Sequence, residues 1–133
     1  MLLYKNKEYE LKVSRGRIQD DVAWMFLDAL DEVESTMSPE KLEENIDSYQ
    51  HDDYDNRILF VLYHDLEPVG LLACYRAGDT ATEEHWYVKP QHRKFANIKA
   101  MRKFFGIWQK GIGAKEILYN KVGGDRWVLK QPR

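Results

Sequence analysis

Trp86-Tyr87-Val88 runs into Lys89-Pro90-Gln91-His92-Arg93-Lys94 and then Phe95-Ala96-Asn97-Ile98. This is a strand ending in a Pro-broken, basic loop that opens an amphipathic helix. Such a junction can hold a phosphate. The free amides of a first helical turn point at the anion, and the helix dipole adds about half a positive charge. Arg93 and Lys94 stand either at that anion or in solvent, and His92 could reach the same place. Upstream, Glu83-Glu84-His85 bring three titratable side chains onto the same strand. Strict alternation puts Glu84, Trp86 and Val88 on one face and Glu83, His85 and Tyr87 on the other. The three read as proton-transfer groups or as the polar surface of a half-exposed strand. His51, His64, His85 and His92 lack metal-ligand spacing, so no metal is expected. No Ser-His-Asp pattern stands out. Cys74, in an apolar strand, reads as buried and inert.

The elements around these residues follow from apolar spacing. Glu8 to Val13 alternates and reads as a first strand. Ile18, Val22, Met25, Phe26, Ala29, Leu30 and Val33 recur at three and four residues, one apolar face of a helix. Ser38-Pro39 opens a second helix, with Ser38 as N-cap and Pro39 at the first helical position. Leu42, Ile46 and Tyr49 give it a thin apolar stripe, while Glu40, Glu43, Glu44 and Asp47 form an acidic face. Ile58 to Tyr63 is a continuous apolar run, as in a strand buried on both faces. Asp65 to Pro68 reads as a turn, Val69 to Tyr75 as the hairpin partner, and Thr80 to Val88 as a third strand. A helix from about Asn97 to Lys110 keeps Ile98, Met101, Phe105, Trp108 and Ile112 on one face, and Gly111 and Gly113 end it. Phe104, Phe105 and Trp108 read as core. Glu116 to Val122 and Arg126 to Leu129 are the last strands. The order is β-α-α-β-β-β-α-β-β. A crossover helix between 81–88 and 116–122 implies a parallel pair within a mostly antiparallel sheet.

Composition narrows the partners. A chain of 133 residues with 44% apolar and 13% aromatic residues suits one packed domain over 1–133. No apolar run approaches the ~20 residues of a membrane helix, and the first residues are too poor in apolar content for a signal peptide. The single Cys74 rules out an intramolecular disulfide and agrees with a cytoplasmic location. The net charge of −2 hides an asymmetry: residues 1–66 carry 7 Lys/Arg against 16 Asp/Glu, and residues 67–133 carry 13 against 6. The basic half could face an anionic ligand, or the halves neutralise each other across the fold. The basic helix lacks a nucleic-acid reading motif, which argues against nucleic acid as a partner. A homodimer stays open.

The element order resembles the GNAT family of acetyl-CoA-dependent N-acetyltransferases, over about residues 8–122. Pro68-Val69-Gly70-Leu71-Leu72 looks like the family's third-strand signature, and Val88-Lys89-Pro90-Gln91-His92-Arg93 is similar to its V-x-P-x-x-R. The family continues as R-x-x-G-x-G/A; here Ala96 stands at the first glycine and Ile98 at the second. Ala96 adds a methyl group. Ile98 must turn toward the sheet, where it fits the apolar helix face. The family normally has a further helix, which often carries a general-acid tyrosine, and a strand pair there; the 11 residues after Val122 leave no room for both, so no acid is assignable.

The resemblance implies an α/β (α+β) fold: a GNAT-like mixed, mostly antiparallel sheet with helices on both faces. It implies acetyl-CoA as cosubstrate, held by Tyr87, Val88, Arg93, Lys94, Phe95, Ala96, Asn97 and Ile98. The thioester would lie beside Val88 where the sheet splays. Family enzymes often place a Glu on the fourth strand, near a bulge. That makes Glu84 the first candidate base, His85 the second and Glu83 the third. The acceptor would be an amine on a small molecule or peptide, and the acidic helix pair suits a cationic one: a polyamine, a Lys-containing peptide or an aminoglycoside. The alternative is a GNAT fold without catalysis, serving as an interaction or structural protein; compact diverged members of that kind occur in tailed phages.

Overall fold

The computed structural model describes residues 1–120 and 127–130. Seven strands form one sheet in chain order: β1 (Leu2–Lys5), β2 (Tyr9–Val13), β3 (Arg57–His64), β4 (Glu67–Ala77), β5 (Thr80–Val88), β6 (Glu116–Asn120) and β7 (Trp127–Lys130). Every neighbouring pair is antiparallel except β5 and β6, which are parallel. Helices α1 (Asp20–Glu32) and α2 (Pro39–Ser48) follow β2, and α3 (Phe95–Gly111) bridges β5 and β6. That crossover is what a parallel pair requires.

The sheet separates two cores. On one face Phe26, Met25, Leu30, Leu42 and Tyr49 of the α1–α2 side pack on Leu59, Val61, Leu71 and Ala73. On the other, Met101, Phe105 and Trp108 of α3 pack on Phe60, Leu72, Trp86 and Val88. Strands β3 and β4 are buried on both sides, which is why their sequences read as unbroken apolar runs. The Ser38 Oγ accepts a hydrogen bond from the Lys41 N–H at 3.2 Å, and Pro39 follows at the first helical position.

Three boundaries differ from the sequence expectation. The chain opens on a hairpin, not a single strand. Asn6 Oδ1 accepts from the Glu8 and Tyr9 amides at 2.9 and 2.8 Å, and this side-chain turn reverses the chain so that β1 pairs with β2. The observed order therefore begins β-β. The turn after β3 is tighter than 65–68: Asp65 and Leu66 take positive φ of 49° and 69°, and Pro68 already lies in β4, where the ladder slips a register. Helix α3 starts at Phe95, because the Lys94 carbonyl accepts from both Asn97 and Ile98 amides. In the last two strands, Lys121, Val122 and Arg126 lie outside the described residues.

Candidate active site

Strands β5 and β6 share only three rows, Thr80 to Thr82 against Glu116 to Leu118. The rows are pinned by the Asp79 carbonyl, which accepts from the Lys115 and Glu116 amides at 2.8 and 3.0 Å. Beyond Thr82 the two strands part. Residues 83–88 keep β4 on one edge and have no strand partner on the other among the described residues. The Lys89 amide donates to the Val69 carbonyl at 2.8 Å, so by alternation the Val88 amide turns toward the open edge.

A β-bulge sits just where the strands part. Cys74 pairs with Glu83 and Ala73 pairs with His85, so Glu84 is one residue too many for β4. The bulge changes which face each side chain takes. Strict alternation, which groups Glu84 with Trp86 and Val88, fails here. Glu83 joins Trp86 and Val88 on the α3 face, where it is fully buried and accepts from the Arg102 Nη2 at 2.9 Å. Glu84 and His85 both turn to the α1–α2 face, the same side as Tyr87.

On that face α2 reaches down to them. Glu84 Oε1 accepts from Tyr49 Oη at 2.7 Å and from Asn45 Nδ2 at 3.0 Å, with Arg57 Nη1 at 3.9 Å. Asn45 Oδ1 lies 2.7 Å from His85 Nε2, so the amide bridges carboxylate and imidazole. With the Asn45 amide oriented toward Glu84, His85 is the donor, and its neutral form keeps Nδ1 as the basic atom. Burial lowers the His85 pKa, and the Glu84 charge pulls the other way. Burial pushes the Tyr49 phenol well up, with the Glu84 charge adding to it, so Tyr49 stays a donor. Asn45 goes unmarked in the sequence, and Tyr49 reads there only as part of an apolar stripe. Their spacing of four residues, one helical turn, was the available signal.

The loop after β5 is a single 3-10 turn, Pro90–His92, feeding α3. Most of its amides are already engaged: Arg93 and Lys94 donate to the Pro90 and His92 carbonyls, and Asn97 and Ile98 to Lys94. The Phe95 and Ala96 amides stand in the first helical turn, where no intrahelical acceptor exists. Arg93 does not face outward. Its Nε donates to the Val88 carbonyl at 2.6 Å, its Nη2 pairs with Glu32 of α1, and its guanidinium lies 5.7 Å from the centre of the Tyr87 ring. Lys94, Phe95 and Ala96 are exposed. Ile98 turns in against the α3-side core, as expected. Asn97 is buried, and its Nδ2 donates to the His92 carbonyl at 3.0 Å. The His92 ring is tied to Tyr9, whose hydroxyl lies 2.9 Å from Nδ1, and it packs 4.8 Å from the His64 ring.

No family model matches the chain, and no curated protein matches it. Solved structures do. A GNAT-family acetyltransferase from Staphylococcus aureus aligns with a TM-score of 0.64 at 15% identity, covering 84% of this chain and 98% of that one. AAC(6')-Iy in complex with the bisubstrate analogue CoA-S-monomethyl-acetylneamine aligns with a TM-score of 0.64 at 10% identity, covering 86% and 80%. An acetyltransferase from Streptococcus agalactiae aligns with a TM-score of 0.62 at 14% identity, covering 85% and 73%. The chain has the GNAT fold. Within it, the parting of β5 from β6, the bulge at Glu84 and the loop before α3 gather at one end of the sheet. No helix among the described residues is long and apolar enough to cross a membrane.

Proposed function

We propose that this GNAT-fold chain is an acetyl-CoA-dependent N-acetyltransferase that acetylates a primary amine by direct attack. The observation that carries the reading is the coincidence of the bulge with the point where β5 leaves β6. One residue position both opens the sheet and presents a carboxylate to the acceptor side. The residues present fit the cosubstrate. The open edge of β5 would take the pantetheine arm, and the Phe95 and Ala96 amides with Lys94 would take the diphosphate. Acetyl-CoA would supply an activated acyl carbon, the C–N bond forming as the C–S bond breaks and CoA leaves as its thiolate. Arg93 acts here as a brace that ties the end of β5 to α1, not as a phosphate ligand.

The chain's own groups then divide the work. The Val88 amide polarises the acyl carbonyl. Glu84, 24% exposed along its side chain, takes the proton from the incoming ammonium. Two donors on Oε1 fix the carboxylate, which leaves Oε2 for that proton. His85, only 6% exposed, orients Asn45 and is a positioning residue. Glu83 sits in a buried ion pair with Arg102 on the far face, which disfavours it as the base. Cys74 is fully buried and its thiol pKa is pushed well up by burial, which disfavours a covalent route through it. A free cysteine also agrees with a cytoplasmic setting.

Steady-state kinetics on a panel of amines test the assignment. Glu84→Gln is expected to lower turnover by ~10²-fold or more with acetyl-CoA affinity near wild type. Full activity in that variant would remove Glu84 from the reaction. One observation favours a second reading, a binding or structural protein: Arg93 and most amides of the loop are already engaged. A thermal shift separates the two. Acetyl-CoA at ~100 times its dissociation constant stabilises a binder by about 2.7 kcal/mol, and no shift leaves the second reading standing.

A further inference from the structure

The two faces of the sheet carry helices of opposite sign. Helix α1 holds five carboxylates and no Lys or Arg, and α2 holds four carboxylates against Lys41. Helix α3 holds Lys99, Arg102, Lys103 and Lys110 and no Asp or Glu. The sheet stands between the two sets, so they do not meet within one chain. Among the described residues, no ion pair of the chain uses Lys99, Lys103, Lys110, Asp20, Asp28 or Asp31. Each face also exposes large apolar side chains in line with its charges. On α3, Phe95, Lys99, Lys103, Ile107 and Lys110 follow one another at steps of four or three residues, a single ridge of the helix. Phe95 is 80% exposed and Ile107 53%. On α1, Asp20, Trp24, Asp28 and Asp31 make a second ridge of the same kind, with Leu27 beside it. Trp24 is 65% exposed and Leu27 37%.

A solvated charge needs no partner, and neither does one exposed apolar side chain. What asks for a partner is the match between the ridges. A step of four residues is about 6 Å along either helix, so charged and apolar groups recur at the same interval on both, with opposite sign. We propose that the α3 ridge of one molecule docks on the α1 ridge of a second copy, with Trp24 as the apolar anchor and Lys99 and Lys103 against Asp28 and Asp31. The contact joins two different faces. It is heterologous: each molecule added leaves one free face of each kind, and assembly passes beyond two. A contact of two helix ridges falls below about 1,200 Å², so the association is weak and dependent on concentration. Its exposed ion pairs make it sensitive to salt. A nucleic acid would satisfy the basic ridge but would leave Trp24 and Leu27 unaccounted for among carboxylates. The inference does not rest on acetyl transfer.

The test is a charge swap read by sedimentation velocity. One variant carries Lys99→Glu and Lys103→Glu; the other carries Asp28→Lys and Asp31→Lys; all four positions are exposed. At low salt the wild type is expected to grow past dimer mass as concentration rises and to return to monomer mass at high salt. Each variant alone presents like charge on both faces and is expected to stay monomeric. Mixed in equal amounts, the two variants offer opposite ridges to each other again, and the large species should return. That rescue cannot come from misfolded chains. Trp24→Ser, which leaves every charge in place, should shift the assembly to higher concentration. A wild type that is monomeric throughout, assembly that stops at two, variants that still assemble alone, or a mixture that stays monomeric each overturns the contact. A monomeric wild type that binds a single-stranded DNA probe through Lys99 and Lys103 would give the basic ridge to nucleic acid instead.

Discussion

At the scale of single residues, two imidazoles have folded-state pKa values below the ordinary one. Burial lowers His85 against the pull of Glu84. Burial also leads at His92, with the charges of His64, Lys89 and Lys94 acting in the same direction. Each therefore binds a proton less readily in the folded chain than in the unfolded one, where histidine titrates near ~6.5. The stability linked to them is present above that pH and is lost as pH falls through their folded values. The melting temperature should drop between pH 7 and pH 5, and His85→Gln with His92→Gln should flatten the drop. A double variant as acid-sensitive as the wild type would assign the effect to carboxylates. The sequence shows these histidines but not their partners. Asn45 and Tyr9 come from elements distant in the chain, and no local pattern marks a hydrogen bond across such a gap.

At the scale of elements, the end of β5 depends on a missing side chain in β4. Gly70 pairs with Val88, and a Cβ there would meet Val88 Cγ2 at 3.0 Å and the Tyr87 carbonyl oxygen at 3.1 Å. The second contact is backbone and cannot rotate away. Gly70→Ala should cost about 1–3 kcal/mol in denaturant unfolding, and it should weaken acetyl-CoA binding by displacing the open edge. A variant of wild-type stability would mean that β4 and β5 separate easily at this row. The small residue after Val69 is legible in the sequence; its reason is this close approach. Likewise the cap at Ser38 and the helix periods are legible because they are local signals. The opening hairpin is not, because its turn rests on one Asn side chain between two short strands.

At the scale of the whole molecule, the topology could be read because each element carries its own period and one crossover helix forces the parallel pair. The faces of β5 could not. Period-2 reasoning holds only while a ladder pairs one residue with one, and nothing in Thr82-Glu83-Glu84-His85 announces that β4 skips a residue. That skip has a consequence for deletion. Removing a residue from a doubly buried strand normally turns every later side chain to the wrong face. Strand β5 is the exception, because its odd–even frame already contains a spare letter. Without Glu84, Glu83 still faces Cys74, His85 still faces Ala73 and Trp86 still faces Leu72. A chain lacking Glu84 should therefore fold and melt cooperatively, weakened by the lost bonds to Asn45 and Tyr49. A chain lacking Thr82 should not, because its strand falls out of phase on one side of the cut. Circular dichroism and thermal melts of the two deletions would show whether the frame is tolerant at that one letter alone.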